Sequence, residues 1–188
     1  CYKYRSNAKL PRTTTVLFYL IDAKAGLARF KDEETGEWIR GAPASDGSVG
    51  DWSEMVAKVN AAVIDIALTN PDIQVICKGK TGFADYQLRQ LKQAADSSSF
   101  PNNVDLIAGG VGPDLLKKAS VVIGFNTTAV LEAMAAGVPV IVPNIFSEQE
   151  KQIAGYAHEV NEGALVPTTI DQLKSMILGA LETGDRYE

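Results

Sequence analysis

The chain has 188 residues, a net charge of −5 and a hydrophobic content of 46%. This length and apolar content suffice for one domain with a full core. The acidic balance argues against a nucleic-acid scaffold or a strongly basic membrane-binding module, and no apolar run approaches the ~18 residues of a transmembrane segment. The two cysteines, Cys1 and Cys77, have no metal-ligand or redox spacing, and we expect Cys77 to be a buried thiol in a reducing compartment.

The N-terminal segment predicts a connection to another domain. Residues 1–14 are polar and basic, which is typical of a linker or an arm from a preceding domain. Because the chain opens at Cys1 without Met, we expect a piece of a longer polypeptide with one α/β domain over residues 15–188. Residues 15–22 form the first predicted strand, and Asp22 falls at its C-terminal end, which is the ligand edge in open α/β sheets.

A long glycine-rich stretch separates this strand from the first predicted helix. Residues 23–51 show no clear periodicity but contain a charged, hairpin-like piece at residues 31–38. A connection of this length is unusual in a compact domain. It is therefore either an irregular surface insertion or a loop that borders a ligand cleft. Residues 51–68 then predict an amphipathic helix, because apolar side chains recur on one face.

Two lysines follow the second predicted strand, residues 73–77. Lys78 and Lys80 belong to a glycine-containing turn at the ligand edge, where they either contact phosphate or lie in a solvated turn. The segment is not a Walker A motif, because the upstream glycine is missing. Residues 83–95 predict the second helix.

Another glycine-rich corner follows the third predicted strand, residues 104–108. Gly110 and Gly112 precede a short predicted helix at residues 114–119. Glycine permits the backbone to approach a ligand closely, but the same residues suit a tight strand-to-helix turn. The residues alone leave both interpretations open.

The clearest pattern in the sequence is a strand, a turn, a helix and a second strand in close succession. The β-branched run at residues 120–124 predicts a buried strand of a parallel sheet. Asn126 is the predicted N-cap of a helix over residues 127–136, and Gly137 is placed for a left-handed C-terminal cap. Residues 138–142 predict the next strand.

Glu132 interrupts the apolar character of this stretch. It is the only charged residue between Lys118 and Glu148, and it shares a helix face with Thr128. A helix N-terminus carries unpaired N–H groups and a partial positive charge, which suit a phosphate. A carboxylate one turn further in lies about 6 Å along the axis, similar to the offset between the phosphate and the ribose hydroxyls of a nucleotide. Glu132 is therefore either a ribose ligand or a solvated helix residue.

The segment DLLKKASVVIGFNTTAVLEAMAAGVPVIVP, residues 114–143, resembles the nucleotide-sugar-binding half of GT-B glycosyltransferases, especially enzymes of bacterial surface and capsule polysaccharides. Similar segments occur in CDP-glycerol polymerases and in UDP-N-acetylglucosamine 2-epimerases. The donor-binding residues that the resemblance implies are Gly124, Asn126, Thr127 and Thr128 for the phosphate, Glu132 for the ribose, Gly110 and Gly112 beside the base, and Lys78 and Lys80 as basic residues.

The C-terminal third predicts three further elements. Ser147 is the predicted cap of a helix over residues 148–158, and that helix ends on His158, the only histidine of the chain. A lone histidine near a helix C-terminus is more typical of a satisfied surface residue than of a catalytic base. Residues 164–167 predict a last short strand, and residues 170–181 predict a last helix.

Strands that alternate with helices about five times predict a doubly wound parallel α/β sheet. The resemblance makes it Rossmann-like and one half of a GT-B fold. Right-handed crossovers would place the loops after all the strands at one edge. A Rossmann dehydrogenase is disfavoured, because no G-x-G-x-x-G motif follows the first strand.

The resemblance implies a donor-binding domain that helps to transfer a sugar from a nucleotide-sugar to a glycan acceptor in cell-surface polysaccharide synthesis. It implies no cofactor and no metal ion, and the sequence contains no Asp-x-Asp pair. A missing N-terminal domain or partner subunit would supply the general base, so this domain alone should catalyse poorly. The alternatives are a sugar-nucleotide 2-epimerase and a non-catalytic docking module. The expected location is the cytoplasm, either free or peripheral at the inner membrane.

Overall fold

The computed structural model describes residues 14–183, apart from residues 34, 44–47, 81, 83, 96–99, 109–111 and 159–162. Almost all of the predicted linker and the predicted site residue Gly110 therefore lie outside the described residues.

One parallel sheet of five strands forms the centre of the fold. Its strands are β1 (Thr15–Tyr19), β2 (Gln74–Lys78), β3 (Val104–Ile107), β4 (Val121–Ile123) and β5 (Val140–Ile141). They neighbour one another in the order β3-β2-β1-β4-β5, and each pair is parallel. The order reverses between β1 and β4, where the connections diverge to opposite sides of the sheet and leave a crevice at the carboxyl ends of the strands.

The apolar runs of the sequence form the buried centre of this sheet. Leu17 of β1 pairs with Ile76 of β2 on one side and with Val122 of β4 on the other. All three side chains are buried, as expected for strands covered on both faces. The predicted fold class, a doubly wound Rossmann-like sheet, is confirmed.

Six α-helices connect the strands or follow them in the described part of the chain. They are α1 (Ser53–Thr69), α2 (Ala84–Ala94), α3 (Gly112–Lys118), α4 (Thr128–Ala135), α5 (Glu148–Gln152) and α6 (Ile170–Thr183). α1 buries a continuous face because apolar residues recur at helical spacing, including Met55, Val59 and Val63. None of the helices that the structure describes is long and apolar enough to cross a membrane.

Two predicted elements differ from the structure. The helix predicted over residues 148–158 ends early and continues as a short 3-10 helix, Ala154–Tyr156, because Ile153 turns inward to a buried position and Gly155 is a poor helix former. The strand predicted at residues 164–167 is reduced to one bridge between Leu165 and Ile141. Pro167 has no N–H group with which to extend the ladder.

The stretch at residues 23–51 contains two small antiparallel pairs. In the first, Arg29–Lys31 pairs with Trp38–Arg40, which confirms the predicted hairpin. In the second, Ala42–Pro43 pairs with Val49–Gly50.

This stretch is fastened to the carboxyl end of β1. Arg40 forms an ion pair with Asp22 at 3.4 Å. The backbone N–H of Trp52 donates to the carbonyl oxygen of Ala23 at 2.8 Å. The base of the insertion therefore lies beside the crevice between β1 and β4.

Candidate functional site

The turn between β4 and α4 lies at the carboxyl edge of the sheet, next to β1. The chain leaves β4 at Ile123 and enters α4 at Thr128. Because the strand order reverses between β4 and β1, this turn stands at the position where open α/β sheets bind ligands.

The N-cap of α4 is Thr127, not Asn126 as predicted. The Thr127 hydroxyl oxygen accepts a hydrogen bond from the backbone N–H of Ala129 at 3.4 Å. Asn126 has a left-handed backbone with φ of 47°, which directs its side chain away from the helix and towards other loops. Its amide nitrogen donates to the carbonyl oxygens of Ala25 and Tyr156, each at 3.1 Å.

The first turn of α4 leaves a backbone donor open. No described residue accepts a hydrogen bond from the backbone N–H of Thr128, the first helical residue, as is usual at a helix N-terminus. The Thr128 side chain is exposed. The end of this eight-residue helix therefore presents an N–H group, a hydroxyl and the positive end of the helix dipole to solvent.

A cavity of about 240 Å³ lies against this turn. Its lining residues are Asn126, Thr127, Thr128, Val130, Leu131, Val142 and His158. The cavity adjoins a larger one of about 820 Å³ near the tip of β5, because Val142 and His158 line both. Three of the predicted phosphate residues therefore share one cavity.

The sequence did not identify His158 as part of this site. The structure places it beyond the 3-10 helix and at the shared wall of the two cavities. Its backbone N–H donates to the side-chain oxygen of Asn126 at 2.7 Å. The one available signal was that it is the only histidine of the chain.

Glu132 and Gly112, predicted from separate segments, lie close together. A Cβ atom built on Gly112 would be 3.5 Å from the Glu132 carboxylate oxygen Oε2 and 3.8 Å from the Tyr19 hydroxyl oxygen. Glu132 is exposed and lies one turn beyond Thr128. It does not line the 240 Å³ cavity, so the predicted ribose residue lies outside the cavity that Thr127 and Thr128 share.

Gly124 has a packing reason for its identity. A Cβ atom at this position would be 2.9 Å from Cγ2 of Val130 and 3.3 Å from Cγ2 of Thr127. Both neighbours are β-branched and stiff at χ1, so they cannot move aside cheaply. Glycine therefore allows α4 to begin close to the end of β4.

The two predicted lysines lie further away along the same edge. Lys78 is the last residue of β2, which is separated from β4 by β1. The backbone N–H of Lys80 donates to the Gln87 side-chain oxygen at 2.9 Å. Neither lysine lines the two cavities at α4. Among the described residues, no group of three or more acidic, histidine or cysteine side chains is arranged to hold a metal ion.

Sequence comparisons identify no relative. No protein-family model matches the chain, and no curated protein sequence matches it.

Solved structures share the fold at low sequence identity. The putative UDP-N-acetylglucosamine 2-epimerase of Listeria monocytogenes is 18% identical over 91% of this chain, with a TM-score of 0.52. The UDP-GlcNAc 2-epimerase of Neisseria meningitidis, solved bound to UDP-GlcNAc, is 12% identical over 94% of this chain, with a TM-score of 0.51. TarM is 12% identical over 96% of this chain, with a TM-score of 0.53.

The chain spans 37%, 40% and 31% of these three proteins, respectively. At such identities the likeness establishes the fold alone. This chain has the Rossmann-like α/β fold of its structural neighbours, which are GT-B glycosyltransferases and UDP-GlcNAc 2-epimerases.

Proposed function

We propose that this chain is the donor-binding domain of a GT-B-type glycosyltransferase, which transfers a sugar from a nucleotide-activated donor to a glycan acceptor. One observation carries the proposal. The N-terminus of α4 follows β4 where the strand order reverses and opens beside a cavity, and Glu132 lies one turn further along the same helix.

The donor phosphate would bind at the first turn of α4. The open N–H and the hydroxyl of Thr128 would donate to the phosphate, and the helix dipole adds positive potential. Glycine at position 124 lets α4 begin close to the sheet. As the bond from the sugar to the phosphate breaks, negative charge grows on the leaving phosphate. Donors already fixed around that charge stabilise the transition state without reorganisation.

The nucleoside would extend along α4 towards α3. The Glu132 carboxylate would accept hydrogen bonds from ribose hydroxyls, and Gly112 would border the base. Gly112 already lies against Glu132, which supports a shared binding surface. Lys78 and Lys80 lie along the same edge and would contribute positive potential rather than direct contacts.

The rest of the reaction would be supplied from outside this chain. The part shared with this chain is only 37%, 40% and 31% of these neighbours, so we assign the general base and the acceptor site to a second domain or subunit. The setting we propose is polysaccharide synthesis at the cytoplasmic side of a membrane, without a metal ion or cofactor.

Calorimetry with UDP, CDP and GDP, each beside its nucleoside, tests the proposal. We expect one nucleotide to bind roughly tenfold more tightly than its nucleoside, because only the nucleotide reaches the helix N-terminus. UDP is the first probe, since a structural neighbour was solved with UDP-GlcNAc. If neither this domain nor the full-length protein binds any of the three, the proposal is wrong and a docking module is favoured.

A sugar-nucleotide 2-epimerase remains the second candidate, because His158 provides an acid–base group at the cavity wall. The full-length protein and UDP-GlcNAc distinguish the two. A transferase releases UDP when an acceptor is supplied, whereas an epimerase returns the C2 isomer of the sugar without any acceptor.

A further inference from the structure

The Asn126 side chain has no hydrogen-bond donor left for a ligand. A side-chain amide offers two N–H donors and one carbonyl acceptor. Both donors are engaged, because the amide nitrogen bonds to the carbonyl oxygens of Ala25 and Tyr156 at 3.1 Å. The side-chain oxygen accepts from the His158 backbone N–H at 2.7 Å. A phosphate oxygen needs donors, so the side chain has a different task from the one that the sequence suggested.

These bonds join three segments that are distant in sequence. Ala25 belongs to the loop after β1, Asn126 to the turn before α4, and Tyr156 to the 3-10 helix. The Ala25 carbonyl oxygen also accepts from the indole N–H of Trp52 at 2.9 Å. Trp52 is fully buried, so this junction is anchored to the core.

The residue types at the junction fit this arrangement. Asn126 has φ of 47°, a left-handed conformation that asparagine tolerates better than most residues. Gly26 has φ of 76°, and a Cβ atom there would be 2.5 Å from the Asn126 amide nitrogen. A side chain at position 26 would therefore displace the amide.

We propose that Asn126 is a positioning residue: it holds the segment from Tyr156 to His158 against the turn before α4, so that the wall of the two cavities is formed before a ligand arrives. The identity of the ligand rests on the proposed function, whereas the positioning itself does not. A preformed wall spares the ligand the entropy of ordering this segment.

Asn103 provides a matched control. Its amide nitrogen also donates to distant backbone carbonyls, those of Ala67, Asn70 and Ile73 at 3.0, 3.3 and 2.7 Å. It lies just before β3, at the opposite edge of the sheet. The same substitution at the two positions separates positioning of the site from general support of the fold.

The test compares Asn126→Gly with Asn103→Gly. Glycine accepts φ of 47° without strain, so Asn126→Gly removes the side-chain bonds and keeps the turn. The ligand-free proteins are measured by backbone NMR relaxation, and UDP affinity is measured by calorimetry. We expect Asn126→Gly to lower the order parameters at Gly155–His158 to about 0.6 or below and to weaken UDP binding about tenfold. Asn103→Gly should change neither.

Unchanged order parameters at Gly155–His158 in Asn126→Gly would overturn the inference, whatever the nucleotide result. Lower order with unchanged UDP affinity would overturn it too, because the segment would then not matter to the site. If the unmodified protein binds no nucleotide, the proposed function fails while the order parameters still decide the role of Asn126. Should Asn126→Gly not fold, Asn126→Asp retains the acceptor for His158, lacks both donors and is judged by the same relaxation measurement.

Discussion

The two edges of the central sheet use asparagine in the same way, with different results. At the edge where the strands begin, Asn103 fastens the end of α1 to the start of β2 through backbone carbonyls. At the edge where the strands end, Asn126 fastens the loop after β1 and the segment before His158 to α4. The first junction stabilises consecutive elements, whereas the second surrounds a cavity.

The difference follows from the strand order. At the carboxyl edge, β1 and β4 are neighbours but their connections leave towards opposite sides, which forms a crevice that the bond from Asn126 to Ala25 borders. Thr128, with its open N–H, begins α4 directly after the turn at this crevice and lines the 240 Å³ cavity. Similar hydrogen bonds therefore serve stability at one edge and a ligand site at the other, according to the topology around them.

The buried centre of the sheet supports both edges. Ionisation of a group there should therefore lower the free energy of unfolding more than any substitution at the edges. Cys77 is a free, buried thiol of β2, as predicted. Burial, and secondarily the charge of Asp105, raises its pKa from 9.0 to about 12. Above pH 9 the unfolded chain loses this proton while the folded protein keeps it. The free energy of unfolding should therefore fall between pH 9 and 12, at up to about 1.4 kcal/mol per pH unit.

Urea unfolding at pH 8 to 11 measures this loss. In Cys77→Ala the free energy of unfolding should fall less steeply with pH than in the unmodified protein. The two proteins share all other titrating groups, so the difference reports on the Cys77 thiol. Parallel plots of unfolding free energy against pH for the two proteins would show that the fold does not raise the pKa of the Cys77 thiol.

Asn103→Gly should lower the free energy of unfolding and leave nucleotide binding unchanged. Its amide serves three carbonyl groups, and a lost hydrogen bond costs on the order of 1 kcal/mol, so we expect a loss of about 2–3 kcal/mol in unfolding free energy. Urea unfolding measures it. The absence of a measurable loss in Asn103→Gly would contradict the stabilising role of Asn103.

Glu132→Ala should affect the ligand edge alone. Removal of a charged hydrogen-bond partner of the ribose is expected to weaken nucleotide binding by about 1.5–3 kcal/mol, or roughly 10- to 150-fold. Because Glu132 is exposed, its stability contribution is small. Glu182→Ala on α6, another exposed glutamate, is the control. Full nucleotide affinity in Glu132→Ala would show that this residue does not bind the nucleotide.

Thr128→Val should have the smallest effect, but it tests the position of the phosphate most closely. The variant loses the hydroxyl but keeps the shape and the backbone N–H at the start of α4. We expect UDP affinity to fall by about 0.5–1.5 kcal/mol and uridine affinity to stay unchanged. An equal loss for both ligands in calorimetry would contradict a phosphate role for this hydroxyl.

Local signals allowed most of the fold to be predicted. The apolar runs placed the five strands of the sheet, and Gly137, with φ of 69° and followed by Pro139, ends α4 where expected. Local signals did not predict the N-cap of α4 correctly. Asparagine and threonine are both good N-caps, and the choice of Thr127 depends on partners of Asn126 that lie 101, 30 and 32 residues away in sequence.

The candidate site was predictable in part for the same reason. Thr127, Thr128 and Glu132 lie on one helix, so their spacing alone brings them together. His158 reaches the site only through a junction between distant loops. A helix predicted to run to residue 158 hid that junction, because its early end depends on the burial of Ile153 and on the bond from Asn126 to Tyr156.

Mapping of backbone amide shifts in the ¹⁵N-labelled chain during titration with UDP tests the difference between the edges most directly. We predict that the perturbed amides cluster at Thr127, Thr128, Glu132 and Gly112, while Asn70 and Asn103 at the opposite edge stay unchanged. Perturbations centred on the opposite edge, or scattered over both, would contradict a nucleotide site at the start of α4.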